Sequence, residues 1–134
     1  EVMAEVKKWT SSLDPKKVED QHQYLEALWI HQQHDMVNEP FLKQMLRSPE
    51  PKARAAATRV LCYWRDRVAN PLALLKTLAT DEHPAVRLEA VRAASFFQTA
   101  EAAEVALASL AQPQDRFLKY TIDQTMNTLK PFVR

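Results

Sequence analysis

The chain contains no glycine. Average usage would supply about nine glycines in a chain of this length. Tight β-hairpin turns and phosphate-binding loops both depend on glycine, so β-rich folds, dinucleotide-binding fingerprints and P-loops are disfavoured. Alanine is abundant and runs of β-branched residues are scarce, which favours helix. The composition therefore predicts an all-α fold.

Other features are also scarce, and each excludes a class of protein. The single cysteine, Cys62, cannot form an internal disulfide, and it excludes the paired-cysteine motifs of zinc and c-type haem sites. No apolar run approaches the 18 residues of a membrane span, and no signal peptide is visible. The net charge of +1 gives no reason to expect a polyanionic partner. The 134 residues fit one domain, and because they open in helical periodicity we expect a piece excised from a larger protein.

What the sequence does contain is a repeat. The stretch EPKARAAATRVLCYW (50–64) aligns without a gap to HPAVRLEAVRAASFF (83–97), 33 residues further on. The alignment pairs proline with proline, arginine with arginine and alanine with alanine, at Pro51/Pro84, Arg54/Arg87, Ala57/Ala90 and Arg59/Arg92. Another copy follows about 32 residues later, and a more divergent one lies upstream. Weak terminal copies are typical of repeat arrays.

Each copy is predicted to be a short helix, a turn and a longer helix. The four copies cover about 1–35, 38–68, 71–98 and 100–130, with first helices near 2–12, 38–47, 71–80 and 100–111. The second helices are predicted near 15–34, 50–68, 84–98 and 115–130. Ser48 and Asp81 are expected as N-caps, with Pro49 and Pro84 in the following first turns. All eight prolines fall at predicted element ends, where they do not break a helix.

One side of each second helix is predicted to be buried. At 3.6-residue spacing the second copy places Ala53, Ala56, Ala57, Val60, Leu61 and Trp64 together, and the third places Val86, Glu89, Ala90, Ala93, Ala94 and Phe97. Trp64 and Phe97 are expected in equivalent pockets. Because a single helix pair cannot bury such a stripe alone, the pairs must stack. The pattern predicts a right-handed α-solenoid of about four helix pairs.

These residues resemble a known repeat family. DEHPAVRLEAVRAA (81–94) is similar to the second-helix signature of HEAT repeats, and SPEPKARAAATRVL (48–61) resembles it nearly as well. The segment from YLEALWIHQQH to YWRDRV (24–68) also resembles the HEAT segment of large exported bacterial proteins that carry a dehydrogenase-like propeller and a c-type haem domain. That resemblance implies a periplasmic or exported spacer between redox domains.

The HEAT resemblance implies a structural ladder. An arginine at the position of Arg54 and Arg87 commonly pairs with an acid of a neighbouring repeat. By that analogy, Arg54 is expected near Asp81 and Arg87 near Asp115, with an anion-binding ladder as the alternative.

A second set of polar residues is expected on the inner, concave surface of the solenoid. Arg59 and Arg92 lie five residues beyond the ladder, which turns them about 140° away from it. The candidate interaction face comprises Glu26, Trp29, Arg59, Asp66, Arg92, Asp123 and Asn127. Its charges are mixed in sign, whereas readers of nucleic acid need cations that follow the phosphates. A solvated surface and a protein-contact surface both fit this pattern.

Metal and catalytic sites are weakly supported. His31 and His34 could share a helix face, but His22 lies nine residues before His31, about 13 Å along the helix, and zinc needs three or four ligands. Cys62 has no histidine placed to activate it and is expected to be a small packed side chain. We therefore expect no metal, no cofactor and no enzymatic activity in this chain.

The sequence supports one function best and leaves alternatives. We expect a non-catalytic module that scaffolds neighbouring domains or partner proteins. The alternative is a nucleic-acid-binding domain similar to HEAT-like DNA glycosylases, with Trp29, Arg59, Asp66 and Arg92 on the concave face. A lyase or chaperone for a bilin cofactor ranks last, since it rests on repeat similarity alone.

Overall fold

The computed structural model describes residues 2–133, and within that range all regular secondary structure is helical. The eight α-helices, in chain order, are α1 (Val2–Thr10), α2 (Gln21–Gln33), α3 (Glu39–Leu46), α4 (Pro51–Tyr63), α5 (Pro71–Leu78), α6 (Pro84–Ala94), α7 (Ala100–Ala108) and α8 (Arg116–Leu129). Short 3-10 turns follow α4, α7 and α8 and precede α2. The all-α expectation is confirmed, and so is the number of helices.

Proline sets where three of these helices begin. Pro51, Pro71 and Pro84 each occupy the first position of a helix, where the missing N–H has no intrahelical partner to lose. The prediction that Ser48 and Asp81 are N-caps is wrong, because proline moves the cap to the residue before it. Glu50 and His83 are the caps, accepting hydrogen bonds from Lys52 N and Ala85 N.

Ser48 and Asp81 act one step earlier. The Ser48 hydroxyl accepts a hydrogen bond from Glu50 N at 3.2 Å, and the Asp81 carboxylate accepts one from His83 N at 2.9 Å. Each side chain therefore stabilises the turn that precedes the helix and positions the capping residue, Glu50 or His83. Pro49, expected in the first turn of α4, lies in this turn instead.

The second helix of the first pair begins later than predicted. It starts at Gln21 rather than near Pro15, because side chains tie the intervening segment into a loop. The Gln21 amide donates to the carbonyls of Pro15 (3.0 Å) and Lys17 (2.7 Å), and Asp20 accepts from Asp14 N at 2.8 Å. These local bonds compete with the helical ones.

In the described part of the chain, two positions have a left-handed backbone. Asp35 (φ 54°) follows α2, and Asn70 (φ 51°) precedes α5. Both lie between helices, and glycine usually takes such conformations. Asp and Asn are the residues that tolerate them best after glycine, so this glycine-free chain can still turn.

The chain divides into two compact units. The first extends to Arg67 and contains α1 to α4, with α2 packed against α1, α3 and α4. All six residues of the predicted α4 stripe are buried, including Trp64, which is completely covered. Its indole N–H has no hydrogen-bond partner within residues 2–133.

The second unit begins at Val68 and contains α5 to α8. Its core includes a cluster of Val91, Ala106, Leu118 and Ile122, contributed by α6, α7 and α8. Phe97 is only half-buried, so the expectation that it matches Trp64 is not met in burial. Trp64 follows the last residue of α4 directly, whereas Phe97 lies three residues beyond the last residue of α6, so the two side chains do not occupy equivalent places at their helix ends.

None of the helices in residues 2–133 combines the length and the hydropathy that crossing a bilayer requires.

Candidate functional site

The seven residues of the predicted interaction face are all solvent-exposed. In the first unit, Glu26 and Trp29 lie on α2, Arg59 lies on α4, and Asp66 lies in the 3-10 turn that follows α4. In the second unit, Arg92 lies on α6, and Asp123 and Asn127 lie on α8. Every one of them belongs to the second helix of a pair or to the turn that ends it, as the repeat pattern predicts.

A groove of about 220 Å³ lies between α6 and α8 of the second unit. Arg92 supplies its charge, and the rest of the lining is rich in hydroxyl and amide groups: Ser95, Tyr120, Thr121, Gln124, Thr125 and Thr128. On α8, Tyr120, Gln124 and Thr128 follow each other at four-residue spacing, so they form one row along the helix. Tyr120 and Thr128 were not part of the predicted face, although their four-residue spacing from Gln124 is visible in the sequence.

The base of the groove is fixed by a hydrogen bond between the two helices. The buried Thr125 hydroxyl donates to the carbonyl of Val91 at 3.2 Å. Ser95 at the end of α6 donates to Arg92 O at 2.6 Å. The polar side chains of the groove are therefore held on two helices with a defined spacing, rather than on loops.

Arg92 keeps most of its hydrogen-bonding capacity. The one acceptor that the described residues offer its side chain is Glu89 Oε1, at 3.5 Å, and that carboxylate is buried. A guanidinium carries five N–H donors in a planar fork, which matches a carboxylate. The Arg92 side chain is 55% exposed, so its remaining donors can reach a partner.

The ladder arginines bind carbonyl oxygens. Arg54 donates to Ser48 O at 2.8 Å, and Arg87 donates to Asp81 O at 2.7 Å, in each case six residues upstream. The repeat seen in the sequence is thus also a repeated hydrogen bond. The expected pairing of Arg54 with Asp81 stays a prediction.

Arg87 differs from the expectation on its other side. Its second nitrogen donates to Pro113 O at 2.8 Å, a carbonyl of the segment before α8, instead of the Asp115 carboxylate. Asp115 is engaged as the N-cap of α8, where it accepts from Leu118 N at 2.7 Å. Because the copy that contains α8 has no proline at the start of its second helix, its aspartate takes the capping role directly.

The histidines do not converge. His31 is buried and donates through Nδ1 to Ala27 O at 2.9 Å, whereas His34 is exposed at the end of α2. His22 Nε2 lies 2.9 Å from Oε1 of Glu26, one turn along the same helix. Residues 2–133 contain no group of three or more His, Cys, Asp or Glu side chains that could hold a metal ion. The thiol of Cys62 is half-buried in α4.

An exposed ion pair in the first unit gives a testable pKa. Arg67 donates to the Asp35 carboxylate, and this hydrogen bond lowers the pKa of Asp35 below its ordinary value. A lowered folded-state pKa stabilises the fold above the unfolded pKa, and that stabilisation is lost as the pH falls through the folded value. Because both side chains are exposed to solvent, we expect a small effect on stability.

The measurement for this pair is an NMR titration of the Asp35 carboxyl. In Arg67→Gln the midpoint of the Asp35 titration should rise toward the ordinary pKa of aspartate. Arg65→Gln, two residues away, serves as the control and should leave the titration where it is. An Asp35 midpoint that is the same in Arg67→Gln as in the parent chain would contradict the pairing.

Comparison with known proteins identifies the family but no individual relative. The sequence model for HEAT repeats matches residues 38–127, which is more than half of the chain and covers α3 to most of α8. No curated protein and no solved structure matches. The helix pairs, the prolines at the helix starts and the repeated arginine-to-carbonyl bond agree with this match. The chain belongs to the HEAT-repeat family, whose repeats build α-solenoids and generally mediate protein–protein interaction.

Proposed function

We propose that this chain is a non-catalytic scaffold module that holds a neighbouring domain or a partner protein through its exposed second-helix face. The observation that carries the proposal is the α6–α8 groove, in which Arg92 presents unused donors beside a row of hydroxyl and amide groups. Such a lining offers both donors and acceptors to a peptide backbone, and the guanidinium fork offers a bidentate site to a carboxylate. A protein segment with an acidic side chain fits this chemistry.

The charge pattern of the face supports a protein rather than a nucleic acid. In the second unit, Arg92 is accompanied by Asp123 on α8, and in the first unit Arg59 is accompanied by Glu26 and Asp66. Each of these cations therefore shares its unit with exposed carboxylates, which repel a phosphate backbone. Binding to nucleic acid depends mainly on cations that neutralise successive phosphates, and this face does not offer such a row.

The first experiment is a pull-down with the immobilised 134-residue chain from an extract of the source organism, with and without nuclease. Protein recovered in equal amount under both conditions supports the proposal. Loss of all captured material on nuclease treatment overturns it and moves the nucleic-acid alternative to first place.

Changing Arg92 should weaken capture of the partner. We expect Arg92→Ala to reduce affinity about tenfold, equivalent to about 1.4 kcal/mol, because an interface arginine with its donors satisfied is typical of a hot spot. Arg116→Ala is the matched control, since Arg116 is an exposed arginine at the start of α8 outside the groove. The affinities are measured by calorimetry with the captured partner. Equal affinities for the two variants would place the contact elsewhere.

A wider proposal concerns the parent protein. The resemblance of residues 24–68 to segments of exported bacterial redox proteins suggests that this module separates a dehydrogenase-like domain from a c-type haem domain. The sequence of the complete gene product tests this directly. We expect a haem-binding CxxCH motif and an export signal in the parts of the gene product outside these 134 residues. Their absence would leave only the general scaffold role.

A further inference from the structure

The first unit contains a cavity of about 460 Å³ that lies apart from the predicted interaction face. It is bordered by α1, by the end of α2 and by the beginning of α3. Its volume falls within the range of about 300–1,000 Å³ that is typical of small-molecule sites. None of the residues that the sequence analysis placed on the interaction face borders it.

One part of the lining is apolar and well supported. Met3 and Val6 come from α1, and Pro40 and Phe41 come from α3. The Phe41 ring is held by an edge-on contact with the His31 ring (centroids 5.5 Å apart) and a tilted contact with Tyr24 (6.1 Å). Aromatic contacts of this kind fix the ring orientation. The cavity thus has a preformed surface for an apolar group.

The same cavity is bordered by an amide with an unsatisfied donor. Gln44 Nε2 is buried and has no hydrogen-bond partner within residues 2–133. A buried donor without an acceptor costs free energy in the folded state, and native structures contain few of them. An oxygen acceptor brought by a ligand would remove that cost.

The charge of the lining has one sign. Lys7 borders the cavity and forms no ion pair in the described part of the chain, and no acidic residue belongs to the lining. His31, which is 9% exposed, is fixed by its Nδ1 bond to Ala27 O, and its Nε2 lies 3.5 Å from the Asn38 amide nitrogen. Because Nδ1 must donate to a carbonyl, a neutral His31 presents Nε2 as an acceptor to that amide. Electrostatics therefore favours an anion beside Lys7.

We propose that this cavity binds a small organic carboxylate with a compact apolar body. The apolar body packs against Met3, Val6 and Phe41, and the carboxylate lies on the side of Lys7. Gln44 Nε2 has almost no exposed surface in the unliganded protein, so the Gln44 side chain turns toward the cavity when its amide donates to an oxygen of the ligand. The site is independent of the scaffold role, so either proposal can fail without the other.

The probe is 3-phenylpropionate, with 3-phenylpropionamide as the uncharged analogue. For a ligand of this size we expect a dissociation constant on the order of 1 mM, followed by amide shifts in ¹H–¹⁵N NMR spectra. The shifts should concentrate at the cavity residues, and the amide analogue should bind at least several-fold more weakly. Equal binding of acid and amide, or shifts scattered over both units, would overturn the proposal.

Two variants assign the polar contacts. Lys7→Gln should weaken binding of the acid about two- to fivefold, whereas Lys8→Gln should leave it unchanged. Lys8 is exposed in the same turn of α1 and does not border the cavity. Lys8→Gln therefore removes the same charge from α1 without changing the lining. Equal effects of the two variants would show a nonspecific charge effect and would overturn the assignment of Lys7.

Gln44→Met separates binding from folding. Methionine removes the unsatisfied donor, so the unliganded variant should melt at or above the temperature of the parent chain, while binding of the acid weakens about fivefold or more. Unchanged binding would overturn the role of Gln44.

A tripeptide ending in a phenylalanine carboxylate distinguishes two sources of the same chemistry. Tighter binding than 3-phenylpropionate assigns the site to a chain terminus, and weaker binding assigns it to a free acid.

Discussion

Replacing Ala57 or Ala90 by aspartate is expected to destabilise the protein by about 3 kcal/mol or more. Both alanines are completely buried, Ala57 in the middle of α4 and Ala90 in the middle of α6. An aspartate there must either bury an unpaired charge or become protonated, and it must also fit into close-packed space. Since small domains are stable by only about 5–15 kcal/mol, much of that stability would be lost.

Thermal unfolding followed by circular dichroism measures this effect. The matched controls introduce the same charge at exposed alanines of helices: Ala4→Asp in α1 and Ala73→Asp in α5. These controls should stay within about 0.5 kcal/mol of the parent chain. A melting temperature for Ala57→Asp or Ala90→Asp equal to that of its control would refute the predicted register of the buried stripe.

Replacing Arg87 by leucine is expected to cost about 2 kcal/mol. Arg87 is 3% exposed, and its two terminal nitrogens donate to the carbonyls of Asp81 and Pro113. Leucine would leave both carbonyls without these charge-assisted bonds, each of which contributes about 1.5–3 kcal/mol. Part of that loss is offset, because Arg87 Nε is buried without a partner among residues 2–133 and leucine removes this unsatisfied donor.

Chemical denaturation of Arg87→Leu, Arg92→Leu and Arg87→Lys measures how much stability the Arg87 hydrogen bonds contribute. Arg92→Leu makes the same exchange five residues further along α6 at an exposed position and should change stability by no more than about 0.5 kcal/mol. Arg87→Lys should fall between the parent chain and Arg87→Leu, because an ammonium cannot span both carbonyls as the guanidinium fork does. If Arg87→Leu proved as stable as Arg92→Leu, the bridge to Pro113 would carry no net stability.

The sequence by itself determined the helices and their pairing. Proline restricts its own φ and lacks an N–H, and a helix face repeats every 3.6 residues, so Pro51, Pro84 and the alanine stripes define helices without reference to the rest of the chain. For the same reason the exposure of Arg59 and Arg92 followed from their rotation around the helix relative to Arg54 and Arg87. These signals depend only on residues that are close together in the sequence, so they can be read without the tertiary structure.

Local reasoning failed where two signals competed. Ser48 and Asp81 are good N-caps, but the prolines that follow at 51 and 84 place the helix start later and leave the capping to Glu50 and His83. Asp115, which has no competing proline, caps α8. In the same way, the side chains of Asp20 and Gln21 delay the start of α2. Each correction is a choice between two satisfied hydrogen-bond patterns, and residue propensities do not decide between them.

Only the tertiary structure decided which distant residues meet. Arg87 reaches Pro113, 26 residues away, and Thr125 reaches Val91, 34 residues away, so neither the bridge nor the base of the α6–α8 groove is visible in any short stretch. The cavity beside Lys7 likewise combines α1, α2 and α3. A helical repeat specifies which face of each helix is apolar, but the gaps that remain between packed helices depend on the sizes of side chains that come together from separate segments.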